Sequence, residues 1–356
     1  MNNIKKIQEK LIEKNLDAVL ITDEKNQRYA TGFPFTDGAV VVARSAAWLI
    51  TDSRYIEAAV NTAACCCTVQ MFDREHSRLS LIQAAFKEAG VQRLGAEEEK
   101  LSHAEYLGYE KALGMELLPA QAIFAELRAS KSEEEISFMR EAQAISERAL
   151  EEVLRIIKPG MTERQVAAEL VYHMLLNGSE GNSFDPIVVT GKKTSMPHGV
   201  PGDEVIHEGD FVTMDFGCLK HGYCSDMTRT VAIGHATDEM KNIYGIVLEA
   251  QLAGIAAARA GIPGCEIDGA ARDVIAKAGY GQYFGHGFGH SLGLDIHELP
   301  GANLSGKAIM PVGCVVSAEP GIYIPGKFGV RIEDVMILRE NGAEVITKAP
   351  KQLTIL

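Results

Sequence analysis

The chain has no surplus of basic residues: 35 lysines and arginines stand against 48 aspartates and glutamates, a formal net charge of −13. That balance argues against a nucleic-acid partner or an anionic bilayer, both of which call for a Lys/Arg excess. No apolar run approaches the roughly 18 residues that a membrane span requires. The seven cysteines are odd in number and irregular in spacing, so no disulfide framework is expected. Three of them are consecutive, Cys65-Cys66-Cys67. On a strand, consecutive side chains point to alternate faces, so these are expected as small apolar fillers and not as ligands converging on one soft metal. No secretory apolar core opens the chain. Residues 1–17 instead form a charged amphipathic pattern with Ile4, Ile7, Leu11 and Ile12 on one face, and a cytoplasmic location is expected.

What is present is enough apolar material for two cores, since hydrophobic residues make up 46% of the 356. The first third alternates short apolar runs of strand type (17–22, 38–43, 47–51, 68–72 and 93–96) with helical patterns at 52–64 and 79–89. It reads as an α/β unit over 1–128 without a catalytic cluster. The boundary falls at Ser130-Lys131-Ser132. From there, over 129–356, Ser132 to Glu135 forms a capping box ahead of a helix that turns Ile136, Met139, Ile145, Leu150, Val153 and Ile157 inward. That helix stops at Lys158-Pro159-Gly160. A second box, Thr162 to Gln165, starts another helix with Val166, Leu170 and Met174 facing in. About a hundred residues later the arrangement recurs: Thr237 caps a helix reaching about Ala260, Gly261-Ile262-Pro263-Gly264 breaks it, and a helix with an acidic start follows. Strands follow each pair, which suits two related halves of a curved sheet backed by helices.

The chemistry-bearing residues all fall in this second part. Asp215 ends the strand-like run Phe211-Val212-Thr213-Met214; Gly217 and Gly222 permit a turn, and 225–232 returns as a strand carrying Asp226. Alternation across an antiparallel hairpin brings the two aspartates to one face. Two like charges so placed repel, and one takes a proton unless a cation intervenes. The segment 285–298 packs His286, His290 and His297 among glycines. Glu319 follows the run Val315-Val316-Ser317-Ala318, and Glu333 is expected on a strand over 330–338, next but one to Arg331. Four carboxylates and one imidazole balance two divalent cations, a combination that makes hydroxide at neutral pH and hydrolyses stable bonds. Oxygen-rich ligation with one imidazole suits Mn²⁺, Co²⁺, Fe²⁺ or Zn²⁺.

The order and spacing of Asp215, Asp226, His290, Glu319 and Glu333 resemble metallopeptidase family M24, the "pita-bread" fold of Xaa-Pro aminopeptidase, prolidase (Xaa-Pro dipeptidase) and methionine aminopeptidase. The resemblance implies an α/β N-terminal domain over 1–128, of the kind creatinase carries, and an α+β pita-bread (creatinase/aminopeptidase-like) catalytic domain over 129–356. It implies that those five residues are the metal ligands, with Mn²⁺ or Co²⁺ as the usual activators. It places His198, in Met196-Pro197-His198-Gly199, over the substrate. It makes His286 and His297 neighbours of the metals that stabilise developing charge, Glu319 a ligand that also moves a proton, and Arg331 a partner of substrate or ligand carboxylates. The implied substrates are proline-containing dipeptides, with the N-termini of longer peptides as the second choice, and the implied assembly is a homodimer. A methionine aminopeptidase-type exopeptidase and a non-catalytic pita-bread binding protein are the alternatives. Creatinase and the binding relatives lack metal ligands that this chain retains.

Overall fold

The structure is a computed structural model that describes residues 2–356, and the chain divides into two compact units, Met1–Arg128 and Ala129–Leu356.

The first unit is a six-stranded mixed sheet in the order Thr68–Met71, Ala47–Thr51, Gly38–Ala43, Ala18–Ile21, Leu94–Ala96, Leu117–Pro119. The middle strands, Val- and Ile-rich, are buried along their whole length, as expected for a sheet covered on both faces. The amphipathic start becomes the helix Ile4–Glu13, which buries Ile4, Ile7 and Leu11. The sequence reading missed the helices Glu24–Thr31 and His103–Leu113. Both carry end signals: Asp23 accepts from the Asn26 N–H, Ser102 and Glu105 form a capping box, and Gly32 and Gly114 close the helices at φ 76° and 68°. Their apolar periodicity is too weak to announce them. The expected helix at 52–64 begins later, as Ile56–Ala63. Cys65, Cys66 and Cys67 lie in the turn after it and not on a strand, with Cys65 exposed and the other two partly buried.

The second unit repeats one plan twice. The helices Glu133–Ile156 and Glu163–Leu176 start at the two capping boxes, where each side chain and its partner N–H exchange hydrogen bonds. Every residue expected to face inward on them is buried, and they share a core with Val188, Val212, Met214 and Phe216. Those strand residues belong to a three-stranded antiparallel sheet with Phe211–Phe216 in the middle, flanked by Ile187–Thr190 and Met227–Ala232. The second pair, Asp238–Ala257 and Gly264–Lys277, shares a core with Val316, Ala318, Met336 and Leu338. These sit in a five-stranded sheet ordered Glu298–Ala302, Gly289–Ser291, Val315–Ala318, Asp334–Arg339, Gly342–Val345.

The expected strand over 330–338 is interrupted. Phe328–Arg331 pairs with Gly321–Ile324, Asp334–Arg339 pairs with Val315–Ala318, and Ile332-Glu333 forms the break between them. At the break Glu333 turns to the strand Met227–Ala232: its N–H donates to the Thr228 carbonyl at 3.1 Å, and Thr228 Oγ1 donates to its carboxylate at 2.7 Å. Leu170 is fully buried in the first helix-backed core, so Leu170→Ala is expected to cost about 2–5 kcal/mol. Denaturant unfolding of the metal-loaded protein checks this; a loss under about 1 kcal/mol would show that the core collapses around the missing atoms.

Candidate active site

Strand alternation sets the site. Along Phe211–Phe216, Val212, Met214 and Phe216 enter the helix-backed core, which leaves Thr213 and Asp215 on the opposite face. In the register of the hairpin Asp215 lies opposite Thr228, so Asp226, two residues before Thr228 and just ahead of the strand Met227–Ala232, shares that face. Gly217 makes the approach possible: a Cβ there would sit 2.0 Å from the Ser225 carbonyl oxygen. On the other sheet His290 is central in Gly289–Ser291, and Glu319 directly follows Val315–Ala318. The hairpin and the second sheet therefore supply two aspartates and a His/Glu/Glu set from opposite sides.

The groups converge. Ligand atoms of Asp226, His290 and Glu333 all lie within 4.8 Å of one another. His290 Nε2 is 3.5 Å from Asp226 Oδ2 and 3.3 Å from Glu319 Oε1. His290 Nδ1 lies 3.2 Å from the Ser291 carbonyl oxygen, which can only accept, so the ring proton belongs on Nδ1 and the Nε2 lone pair faces the carboxylates. Ser317 links the two residues, accepting from the His290 N–H and donating to Glu319 Oε1, each at 3.0 Å. Asp215, Asp226, His290, Glu319 and Glu333 all line one cavity of about 490 Å³, with Phe184, Ile187, Pro197, His198, His286, Ile296, His297 and Arg331 among its other walls.

Burial and repulsion from neighbouring carboxylates raise the pKa values of Asp226, Glu319 and Glu333. Asp226 is pushed well up by desolvation and then by Asp215 and Glu319; Glu333 likewise by desolvation and then by Asp226, Glu319 and Asp215. Glu319 is raised for the same first reason. The three histidines at 286, 290 and 297 move down, each chiefly because burial disfavours the imidazolium. Arg331 offsets part of the negative charge by donating to Asp215 Oδ2 at 2.6 Å. Asp215 Oδ1 is buried without a hydrogen-bond donor. An orphaned carboxylate oxygen, a free imidazole lone pair and a cluster of destabilised carboxylates fit a pair of divalent cations, and the oxygen-rich set suits first-row divalent ions.

The remaining expected residues fall around this cluster. His198 is exposed on a turn after the 3-10 helix Gly191–Ser195 and overhangs the cavity. His297 packs edge to face on the His290 ring, with centroids 4.3 Å apart. His286 differs from the expected substrate donor: Nδ1 lies 2.9 Å from the Gly287 carbonyl oxygen and Nε2 2.8 Å from the Tyr323 hydroxyl, so both ring nitrogens are engaged. Arg331 is also committed, donating to Thr228 Oγ1, Tyr323 Oη and the Pro197 carbonyl as well as to Asp215. Its guanidinium is taken up by Asp215 and these neighbours and is not free to clamp a substrate carboxylate. Tyr323, on the strand Gly321–Ile324, carries no sequence signal of a role. Burial pushes its hydroxyl up to about 12, so it stays a neutral link between Arg331 and His286. Phe184 and Ile296 lie on irregular segments and Ile187 opens the strand Ile187–Thr190, and no sequence signal marked them for the cavity, because their meeting depends on how these segments face one another.

Known proteins bear on this arrangement. The family model for metallopeptidase family M24 matches residues 137–340, and that for the creatinase/prolidase N-terminal domain matches residues 3–130. This chain belongs to metallopeptidase family M24. Its second unit is accordingly the pita-bread catalytic fold. A Xaa-Pro dipeptidase of Pyrococcus horikoshii is 35% identical, with 98% of each chain covered. The solved Xaa-Pro dipeptidase of Bacillus anthracis superposes with a TM-score of 0.95 at 42% identity, covering 99% of both chains. The X-Pro aminopeptidase of Thermotoga maritima gives 0.93 at 35% identity, covering 98% of this chain and 99% of its own. M24 membership makes this chain a metallopeptidase that uses divalent metal ions.

Metal dependence then acquires a sign. A carboxyl whose pKa is higher folded than unfolded binds protons more tightly in the fold, so the metal-free fold loses stability as pH rises from the unfolded carboxylate range through the raised values. Metal ions relieve that penalty by competing with protons. The gap in melting temperature between metal-loaded and chelated protein is expected to be wider at about pH 8 than at about pH 6, and a gap independent of pH would contradict it. Asp226→Asn removes one charge at constant shape, and metal analysis of the purified variant is expected to show reduced occupancy together with near-complete loss of turnover.

Proposed function

We propose that this chain hydrolyses the Xaa-Pro peptide bond, in dipeptides first and at the N-termini of longer peptides second, using two divalent cations held by Asp215, Asp226, His290, Glu319 and Glu333. The observation that carries the reading is the convergence of Asp226, His290 and Glu333 within one cavity beside the orphaned Asp215 oxygen. When bound, the cations acidify water and polarise a carbonyl. The chain's own groups do the rest. Glu319, kept proton-hungry by burial, takes the proton of the attacking water and returns it to the departing proline nitrogen. His198 and His297 face the cavity and donate to charge developing on the scissile carbonyl oxygen. Phe184, Ile187 and Ile296 give apolar wall against which a pyrrolidine ring packs. The bond to proline is a tertiary amide without an N–H, so its recognition calls for no acceptor at that nitrogen.

A second reading, the aminopeptidase, has a specific support. A further cavity of about 560 Å³ shares Pro197, His198 and His286 with the first and extends along Gln282, Tyr283, Tyr323 and Pro325, giving room beyond the proline. The proposed cation pair is Mn²⁺ or Co²⁺, with Zn²⁺ or Fe²⁺ as substitutes, and the proposed form is a cytoplasmic homodimer. Metal reconstitution, sedimentation velocity and cell fractionation check these in turn.

Steady-state hydrolysis of Ala-Pro against Ala-Pro-Ala by the metal-loaded protein separates the two substrate classes. Faster turnover of the dipeptide is expected, and equal or faster turnover of the tripeptide moves the assignment to the aminopeptidase. His198→Ala is expected to keep its metal and lose turnover by roughly 10²-fold, the scale for removing one transition-state donor. Undiminished turnover in that variant would remove His198 from the reaction.

A further inference from the structure

Outside the lining of the cavity, the helix Gly264–Lys277 carries an ion pair one turn apart, its carboxylate buried and its guanidinium half-buried. Asp268 is fully buried and accepts from Arg272 Nε at 2.7 Å and Nη2 at 2.9 Å. The pair reaches the segment that holds His286 at four points. Arg272 Nη1 donates to the Phe284 carbonyl at 2.9 Å and Nη2 to the His286 carbonyl at 2.7 Å. Asp268 Oδ1 accepts from the Phe288 N–H at 2.9 Å. The Arg272 guanidinium also covers the Phe284 ring at 4.2 Å from its centroid, and that ring meets the His286 ring at 87° with centroids 5.2 Å apart. Backbone and ring of His286 are thus both set from one guanidinium. Beyond His286 the contacts continue through the Tyr323 hydroxyl and Arg331 to Asp215.

We propose that Asp268 and Arg272 are positioning residues for catalysis: they hold His286 so that Tyr323 and Arg331 keep Asp215 in its working orientation. The proposal rests on the reading of the site given above, but it makes a claim that reading does not contain. A purely structural pair would stabilise the fold without its effect passing through His286. Lysine at position 272 keeps the positive charge beside Asp268, yet a single ammonium cannot span both Asp268 oxygens and two carbonyls as the planar fork does. The chain of contacts would loosen while the fold stays.

The test uses the full metal-loaded chain, with Arg272→Lys, Asp268→Asn, His286→Ala and the Arg272→Lys/His286→Ala double variant. On Ala-Pro, Arg272→Lys is expected to lose about 10²-fold in kcat, the scale of a small misplacement of reacting groups, with metal content unchanged. KM is expected to stay within about threefold, the pattern of a lost transition-state interaction. In the His286→Ala background the same substitution is expected to cost nothing further, because the two act on one path. Hydrogen–deuterium exchange of residues 284–290 is expected to speed up in Arg272→Lys and Asp268→Asn, a readout that needs no substrate. Wild-type kcat in Arg272→Lys, an equal loss in both backgrounds, or unchanged exchange would overturn the proposal. A wild-type chain that fails to cleave Ala-Pro would instead overturn the functional reading, and the exchange measurement would still decide the positioning. Should Arg272→Lys fail to fold, Asp268→Asn carries the same comparison.

Discussion

Repulsion among four carboxylates brought into one interior is the constraint around which the catalytic unit is arranged. Asp226 and Glu333 are almost wholly buried, Asp215 nearly so; Asp215 and Glu319 raise the proton affinity of Asp226, and all three raise that of Glu333. Removing such groups from water costs several kcal/mol apiece unless opposite charge compensates. Arg331 compensates one carboxylate oxygen, Thr228 and Ser317 each donate to another, and Asp215 Oδ1 is left without a hydrogen-bond donor. The two halves of the unit meet at this cluster, and neither half supplies all five of its side chains.

The histidines near the cluster share a second device. Each sits on a segment tied by a buried carboxylate that also binds a cation. Glu163 accepts from the Thr190 and Gly202 N–H groups and from Lys193, bracketing the turn of His198. Glu298 accepts from the Leu294 and Asp295 N–H groups and from Lys131, next to His297. Asp268 and Arg272 do the same for His286. Irregular segments have no ladder to fix them, so paired charges at their bases supply the rigidity that a site on loops otherwise lacks. Removing one member of such a pair leaves a buried charge alone, which costs more than the pair contributes.

Arg331 and His286 show how the surroundings reassign side chains. Either could serve substrate if its polar atoms were free. Tyr323 takes one hydrogen bond from Arg331 and gives one to His286, and this turns both residues toward supporting Asp215. The histidines left facing the cavity are then His198, on its exposed turn, and His297, stacked edge to face on His290.

The sequence by itself determined the two-part plan, both helix pairs and the segments that carry the five clustered side chains. Capping boxes, Pro-Gly breaks and strand alternation are local rules, and they put Asp215 and Asp226 on one face wherever that hairpin forms. Local rules also left readable signals at Asp23 and Ser102 that weak periodicity concealed. Tertiary structure alone decided the rest. The break at Ile332-Glu333 exists because adjoining stretches pair with different strands, Gly321–Ile324 and Val315–Ala318. Tyr323, Phe184, Ile187 and Ile296 entered the site through contacts between segments distant in the chain. Such contacts depend on how sheets face one another, and no spacing along a single strand or helix encodes that.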